Sequence, residues 1–250
     1  MTFFSFDGVG WLLLSLVPLL YLQRWLHREI QLVFLYLTNS PQVSLIIFSL
    51  LFFPGVFLHE LSHFLMAKLL GVKTGRVSLF PKPTRDGKLQ LGFVETARTD
   101  FLRDAMIGTA PLITGGLLVY ILGSTRLGMT QLVTFLSRGD LQSFWQGMLH
   151  LPSLPDFWLW FYLAFVISSM MLPSAADRRA WMPVTLVILG VLVIAMLAGA
   201  GEWMLKNVGP GFNQALRTIS IIFIISQAMH LVLLLPVYLI RVLLGGLLNK

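Results

Sequence analysis

The residues with the clearest potential for chemistry are His59, Glu60 and His63, in the stretch FFPGVFLHELSHFLMAKLLG at positions 52–71. The two histidines are four positions apart, so on a helix their imidazoles lie on one face, where both can bind one metal ion. Glu60 lies beside them, where it can take a proton from water on that metal. Chance would produce such a pattern only about 0.002 times in a chain of this composition. The spacing therefore predicts a zinc site with Glu60 as the general base.

The motif lies in an apolar stretch, so placing its ionisable side chains there has a free-energy cost. Each ionisable side chain at membrane depth costs on the order of 2.5 to 3.5 kcal/mol even on the lenient insertion scale. A bound zinc ion would compensate that cost, and a purely structural hydrogen-bonded cluster is the alternative. The chain has no cysteine, so any metal must be held by His, Asp or Glu side chains.

The composition is that of an integral membrane protein. Hydrophobic residues make up 56% of the chain, charged residues only 12%, and the mean hydropathy is +0.81. These values exclude a soluble enzyme and make the lipid bilayer the expected environment. The net charge of +7 does not indicate a nucleic-acid partner, because the basic residues form no long run and gather between the apolar stretches.

A helix needs about 20 apolar residues to cross the hydrocarbon core. The chain is therefore expected to be an all-α polytopic membrane protein with about six transmembrane helices and a small membrane-associated β-hairpin. The first span is expected to be retained and to continue as an interfacial helix past Arg24 and Arg28. The six predicted spans are residues 9–22, 43–71, 105–123, 157–173, 183–199 and 217–244.

The connection at residues 72–104 is rich in Lys and Arg. Two runs in it, Arg76–Phe80 and Leu89–Thr96, have strand character and flank the turn-prone Pro83, Asp86 and Gly87. This region is expected to form the β-hairpin. The other long connections, residues 124–156 and 200–216, are expected to be loops with glycine and proline.

Three parts are expected along the chain: an N-terminal transmembrane and interfacial segment (1–42), a core that contains the predicted zinc site and the β-hairpin region (43–180), and C-terminal transmembrane helices (181–250). Alternating six spans puts both termini, the hairpin and the segment around Asp177 on the more basic side of the membrane. The positive-inside rule makes that side cytoplasmic.

Two imidazoles leave a catalytic zinc site one protein ligand short. The metzincin pattern would place Gly and His at positions 66 and 69, where this chain has Met66 and Leu69. The next acidic residues along the chain, Asp86 and Glu95, fall in the predicted hairpin. The strongest remaining candidate is Asp177, near the end of the fourth span.

An HExxH motif in the second membrane helix, a turn with proline and an aspartate near the end of the fourth helix resemble the site-2 protease family of intramembrane metalloproteases. The resemblance covers about residues 43–180 and implies that His59, His63 and Asp177 bind zinc and that Glu60 is the catalytic base. It implies hydrolysis of peptide bonds in transmembrane or membrane-proximal protein substrates. The alternative for Asp177 is an ion pair with Arg178 or Arg179 at the membrane surface.

The family's Gly-Pro-Leu-x-Asn element has a divergent counterpart here in residues 110–114, APLIT. The resemblance implies substrate contacts for Pro111 and Thr114, although Thr114 stands where asparagine is usual. Two further departures are Ser169, where the family has asparagine before the proline turn, and Arg178, where it has glycine.

Other functions remain open from the sequence. A non-proteolytic membrane metal-binding protein, either a transporter or a pseudoprotease, would use the same ligands but would not need Glu60. A protease acting on peptides at the membrane surface and a purely structural subunit are further alternatives. Among the other histidines, His230 is expected to pack or to hydrogen bond behind the site, whereas His27 and His150 are expected to be solvated.

Overall fold

The computed structural model describes residues 7–79, 82–83 and 89–248, and this part of the chain is mostly helical. The all-α polytopic class with a small antiparallel β region is confirmed. The helices are α1 (Gly8–Thr38), α2 (Pro41–Leu51), α3 (Phe53–Leu69), α4 (Phe101–Thr125), α5 (Met129–Ser137), α6 (Leu141–His150), α7 (Phe157–Met170), α8 (Trp181–Leu197), α9 (Gly201–Asn207) and α10 (Gly209–Leu248).

Candidate membrane spans number three to six among the described residues. The helices α1, α4 and α10 are each long and apolar enough to cross a membrane. In three further pairs of consecutive helices, the two helices are long and apolar enough to cross a membrane only when they are taken together. Each pair is bent at its junction: α2–α3 by 67°, α6–α7 by 100° and α8–α9 by 116°. These helices support the assignment as a membrane protein.

The expectation of loops at residues 124–156 and 200–216 is wrong, because α5 and α6 occupy most of the first segment, and α9 with the start of α10 occupies most of the second. Gly128 and Gly139 both have positive φ, and they separate α5 from its neighbours without the strain that a Cβ would bring. Asp140 then caps α6 by accepting a hydrogen bond from the Ser143 N–H at 3.0 Å. Glycine therefore marks the two boundaries of a helix here, Gly128 before α5 and Gly139 after it, and does not indicate an extended loop.

The first two predicted spans also differ from the structure. The first is one helix that continues to Thr38, well beyond the predicted end and without a separate interfacial segment. The second is broken at Phe52, where α2 ends and α3 begins. Pro54 lies in the first turn of α3 and lacks the N–H that would continue the α2 hydrogen-bond pattern, which accounts for the break.

The predicted hairpin region contains two short antiparallel pairs. Strand β1 (Thr74–Ser78) pairs with β4 (Phe93–Thr96), and β2 (Lys82–Pro83) pairs with β3 (Leu89–Gln90). The predicted second strand is therefore divided between β3 and β4. The predicted positions Phe80, Asp86 and Gly87 lie outside the described residues.

The helices α1 and α10 pack along most of their lengths and run parallel. The backbone N–H of Gly8 donates to Asn213, and Arg241 donates to Glu29 at 2.8 Å farther along both helices. Residues 7 and 248 consequently lie at opposite ends of this helix pair. Which side of a membrane each end of the chain faces stays a prediction.

Buried side chains from α1, α2, α3, α4, α7 and α10 form one continuous hydrophobic core. In contrast, no residue of α8, all of which is described, is buried. The core therefore fixes the helices around the HExxH segment and leaves α8 at the periphery.

Candidate metal centre

The two motif histidines meet on the face of α3 that packs against α4 and α7. Their Nε2 atoms are 3.1 Å apart. The His63 side chain is 8% exposed and that of His59 14%. The helical spacing of four residues produces this geometry, as predicted from the sequence.

Asp177 completes the cluster from the segment between α7 and α8. Its Oδ1 lies 3.2 Å from His63 Nε2, and its Oδ2 lies 3.6 Å from His59 Nε2. The segment is held by Ser174, whose N–H donates to Asp177 Oδ2 at 2.7 Å and whose Oγ accepts from the Asp177 N–H. The structure thus brings the three predicted ligands together, within 4.8 Å of one another.

Both imidazoles are oriented by backbone carbonyls behind them. His59 Nδ1 donates to the Met170 carbonyl at 2.6 Å, and His63 Nδ1 donates to the Ile107 carbonyl at 2.8 Å. With the proton on Nδ1, each Nε2 presents its lone pair to the other ring and to the Asp177 carboxylate. This arrangement behind the ligating nitrogen is typical of metal-binding histidines.

The donor set fits a zinc ion. A tetrahedral zinc site with bond lengths of about 2.0 to 2.2 Å has ligand–ligand edges of about 3.3 to 3.6 Å. In the cluster the two Nε2 atoms are 3.1 Å apart, Asp177 Oδ1 lies 3.2 Å from His63 Nε2, and Asp177 Oδ2 lies 3.6 Å from His59 Nε2. These distances involve both carboxylate oxygens; with one ligand atom from each residue, the three donors lie within 4.8 Å of one another. Two nitrogens and one carboxylate oxygen also match the ligand classes of catalytic zinc, which keep a fourth position open.

The basic residues next to Asp177 have other partners. Arg179 forms a bidentate pair with Asp104 at the start of α4, with two contacts of 2.7 Å. The hydrogen bonds to Asp104 raise the pKa of Arg179 above its usual value. Arg178 donates from Nε to the Ser174 carbonyl at 3.2 Å. The carboxylate of Asp177 therefore faces the histidines, whereas the nearest arginines brace its loop.

A cleft of about 670 Å³ contains the cluster and Glu60. Its other walls come from the α1 face, the α7–α8 segment and the β3–β4 connection, including Leu91 and Gly92. A Cβ at Gly92 would lie 2.9 Å from Glu60 Cγ, so only glycine fits against the Glu60 side chain there. The predicted hairpin region thus lies directly against the candidate base.

The two predicted substrate-contact residues do not line the described cleft. Helix α4 contributes Asp104, Ile107 and Gly108 to its wall, whereas Pro111 is fully buried and Thr114 lies farther along the helix. Gly108 was missed by the sequence reasoning. A Cβ there would collide with the Asp177 backbone carbonyl, and the only sequence signal was a glycine within an apolar helix.

Two further histidines lie near the cluster. His27 on α1 lines the cleft, and its Nε2 is buried without a hydrogen-bond partner among the described residues. The expectation that His27 is solvated is therefore wrong: the segment assumed to be interfacial continues helix α1, and the His27 ring packs against Phe48 and Phe52. His230 is fully buried and bonds Ser169 Oγ at 3.0 Å and the Ser226 carbonyl at 2.7 Å, as expected for a residue behind the site. His150 is exposed, as predicted.

No protein-family model matches the chain, and no curated protein or solved structure gives a significant match.

Proposed function

We propose that this chain is an intramembrane zinc metalloprotease that hydrolyses peptide bonds of transmembrane or membrane-proximal proteins. The observation that carries the proposal is the convergence of His59 Nε2, His63 Nε2 and the Asp177 carboxylate, with each Nδ1 fixed by a backbone carbonyl. Glu60 shares the cleft with these ligands. This combination supports a catalytic site over a structural cluster, which would have no use for converging lone pairs.

The chemistry divides between the metal and the side chains of the chain. Zinc, when bound, would polarise the scissile carbonyl and make water easier to deprotonate. Glu60 would take the proton from the attacking water and deliver it to the nitrogen of the leaving amine as the peptide bond breaks. His59, His63 and Asp177 would hold the ion.

Extended backbone forms part of the cleft wall, which would favour binding of an extended peptide. The segment Leu91–Val94 lines one wall, and the β4 strand begins within it. A helical substrate hides its peptide bonds, so a transmembrane segment would unwind before cleavage. Backbone pairing with a strand edge is one general way to hold a peptide in the extended form.

The same ligands would also suit a non-proteolytic metal-binding protein, either a transporter or a pseudoprotease. The position of Glu60 separates the two functions, because a protein that only binds metal does not need a base beside its ligands. Glu60→Gln should abolish proteolysis and leave zinc bound if the chain is a protease.

The test combines metal content with proteolysis on detergent-purified protein. Wild type should contain about one zinc per chain, and Glu60→Gln should retain zinc and lose peptide hydrolysis. Glu202→Gln is the matched control, since Glu202 is an exposed carboxylate paired with Lys206, and it should keep both properties. A zinc-free wild type would refute the metal site, whereas zinc with full activity in Glu60→Gln would refute the role of the base.

A further inference from the structure

The carbonyl that orients His63 comes from the middle of a helix, where carbonyls are normally occupied. In α4 the Ile107 carbonyl would accept a hydrogen bond from the N–H four residues later. That residue is Pro111, which has no N–H. The Ile107 carbonyl is therefore available, and His63 Nδ1 donates to it at 2.8 Å.

The corresponding acceptor for His59 has a different origin. Met170 is the last residue of α7, and the final carbonyls of a helix have no intrahelical partner. A helix end thus provides one acceptor, whereas the other depends on a proline. Any other residue at position 111 has an N–H that would donate to the Ile107 carbonyl within α4 and compete with His63 for it.

We propose that Pro111 is a positioning residue for the metal site, acting on His63 through the Ile107 carbonyl. This inference rests on the proposed zinc site and replaces the expected substrate contact of Pro111 with another role. Pro111 does not line the described cleft, so its replacement should change metal affinity and not the affinity for substrate.

The direct test is Pro111→Ala, which restores an N–H that competes for the Ile107 carbonyl. Zinc affinity should fall about 10- to 100-fold, the usual effect of losing a partner behind a ligand. Pro18→Ala and Pro236→Ala are controls, because these prolines also lie inside helices but far along the chain from the ligands. Both should keep wild-type zinc affinity in a chelator competition.

An ester analogue isolates the N–H from the proline ring. Lactic acid at position 111, introduced in place of Pro111, has the alanine side chain but no N–H, so it should retain most of the zinc affinity that Pro111→Ala loses. Nitrogen-15 NMR of the histidines should show a change at His63 Nδ1 in Pro111→Ala and none at His59.

The outcomes separate this inference from the proposed function. A wild-type protein that binds no zinc refutes the metal site itself. A wild type that binds zinc, together with Pro111→Ala at full affinity and an unchanged His63 signal, overturns only the role of Pro111. Equal losses in Pro111→Ala and the ester analogue would also overturn it, because the restored N–H would not be the cause.

A second inference, independent of any activity, comes from the directions of the helices. Helix α2 is antiparallel to α1, since Ser44 bonds the Gln31 carbonyl while Phe48 and Phe52 contact His27. Helices α1 and α10 are parallel. If both cross the bilayer, an odd number of crossings must lie between them, and six alternating spans do not allow that.

The contacts of α4 indicate its direction relative to α7 and α10. Arg126 at the end of α4 lies over Trp160 near the start of α7, so these two helices are antiparallel. Gly116 faces Ile222 and Gly123 faces Ile225, so α4 and α10 run in the same sense. The chain thus alternates direction through α1, α2–α3, α4 and α7.

The remaining segment, α8–α9, begins and ends at the same end of the molecule. It starts just after Arg179, which is tied to Asp104 at the start of α4, and it leads into the start of α10. Gly116 of α4 contacts Ile222 of α10, and Asp104 precedes Gly116 by as many residues as Pro210 precedes Ile222. Asp104 and Pro210 therefore lie at the same end of these two parallel helices. Helix α9 has 7 residues and spans about 10 Å, too short to return across a core of about 30 Å.

The geometry points to five crossings, with α8–α9 entering and leaving the bilayer on one side and residue 248 opposite residue 7. The distribution of basic residues agrees with this arrangement. Near the end that contains the start of α10 lie Lys73, Arg76, Arg98, Arg103, Arg178, Arg179, Lys206 and Arg217, whereas near the other end lie Arg126, Arg138 and Arg241. The positive-inside rule makes the more basic side, with Asp104 and Arg179 at the cleft, cytoplasmic.

The absence of cysteine allows a direct test with single-cysteine variants in sealed vesicles and a membrane-impermeant maleimide. Four exposed positions suffice: Ala97→Cys, Arg138→Cys, Lys206→Cys and Gly246→Cys. Five crossings predict that Ala97→Cys and Lys206→Cys react from one side, and Arg138→Cys and Gly246→Cys from the other.

Six alternating spans would instead pair Gly246→Cys with Ala97→Cys, and Lys206→Cys with Arg138→Cys. Either of these pairings overturns the inference. Labelling after detergent solubilisation measures the total reactive thiol at each position, so that low labelling in vesicles is assigned to sidedness and not to an unreactive cysteine.

Discussion

In the described part of the chain, two clusters of ionisable side chains can be compared, and their charges are balanced in different ways. Between α1 and α10, the fully buried Glu29 accepts hydrogen bonds from Arg241 at 2.8 Å and Trp25 at 3.1 Å, with Arg28 at 3.4 Å. In the other cluster, two imidazole nitrogens and the Asp177 carboxylate converge on one another.

The difference distinguishes a structural cluster from a candidate site. The Glu29 cluster combines an acid with cations and a donor, so it is complete without any added group. The histidine cluster instead turns three electron-rich atoms toward one point while carbonyls occupy both Nδ1 atoms. An ionisable group at membrane depth therefore indicates a functional site only when its partners leave a ligand position to fill, so those partners must be known first.

The largest expected effect is on stability and comes from the structural cluster. Arg241→Ala leaves the buried Glu29 carboxylate without its main counter-ion and should cost about 3 kcal/mol of unfolding free energy, the lower end of the range for breaking buried pairs, because Trp25 and Arg28 remain. Zinc affinity of the folded protein should not change. Thermal unfolding and chelator competition measure the two properties, with Lys206→Ala as a surface-pair control; an effect of Arg241→Ala on zinc affinity would end the distinction between the clusters.

The next effect is on metal binding. Asp177→Ala removes a ligand and should lower zinc affinity more than about 100-fold, beyond the usual cost of losing a partner behind a ligand. Asp140→Ala removes an exposed helix-capping carboxylate elsewhere and should leave the affinity intact. Full zinc content in purified Asp177→Ala would mean that another residue is the third ligand.

A glycine pair in α4 tests how closely the Asp177 segment must approach. Gly108→Ala places a Cβ against the Asp177 carbonyl, so it should displace the ligand and lower zinc affinity about 10- to 100-fold. Gly116→Ala is the matched control in the same helix, because its Cβ meets no atom closer than 3.7 Å. Chelator competition on both variants measures their zinc affinities. Equal affinities would show that the Asp177 segment can shift without loss of zinc binding.

The smallest expected effect concerns the surface pair that braces the Asp177 segment. Arg179→Ala removes a bidentate contact whose arginine is 61% exposed. Exposed pairs contribute about 0 to 1 kcal/mol, so zinc affinity should fall at most about fivefold. Isothermal titration with zinc measures the change, and Lys206→Ala again serves as the control. A loss as large as that of Asp177→Ala would contradict the assignment of Arg179 as a brace.

Much of the fold followed from local sequence patterns. Apolar segments long enough to cross a membrane predicted the polytopic helical class, and the 72–104 connection predicted the antiparallel strands. The short helices α5, α6 and α9 were missed because glycine was taken to indicate loops, whereas it marks helix boundaries there. The break at Phe52 was missed because the apolar run continues through it.

The sequence by itself determined the His59–Glu60–His63 face, because a four-residue spacing on a helix places two side chains together whatever the rest of the chain does. The sequence offered Asp177 as the third ligand, with an ion pair to Arg178 or Arg179 as the alternative. Only the tertiary structure decided that its carboxylate meets that face, that the Ile107 carbonyl is free to orient His63, and that α1 and α10 run parallel. These features depend on contacts between residues far apart in the chain, and local periodicity carries no information about which helix packs against which.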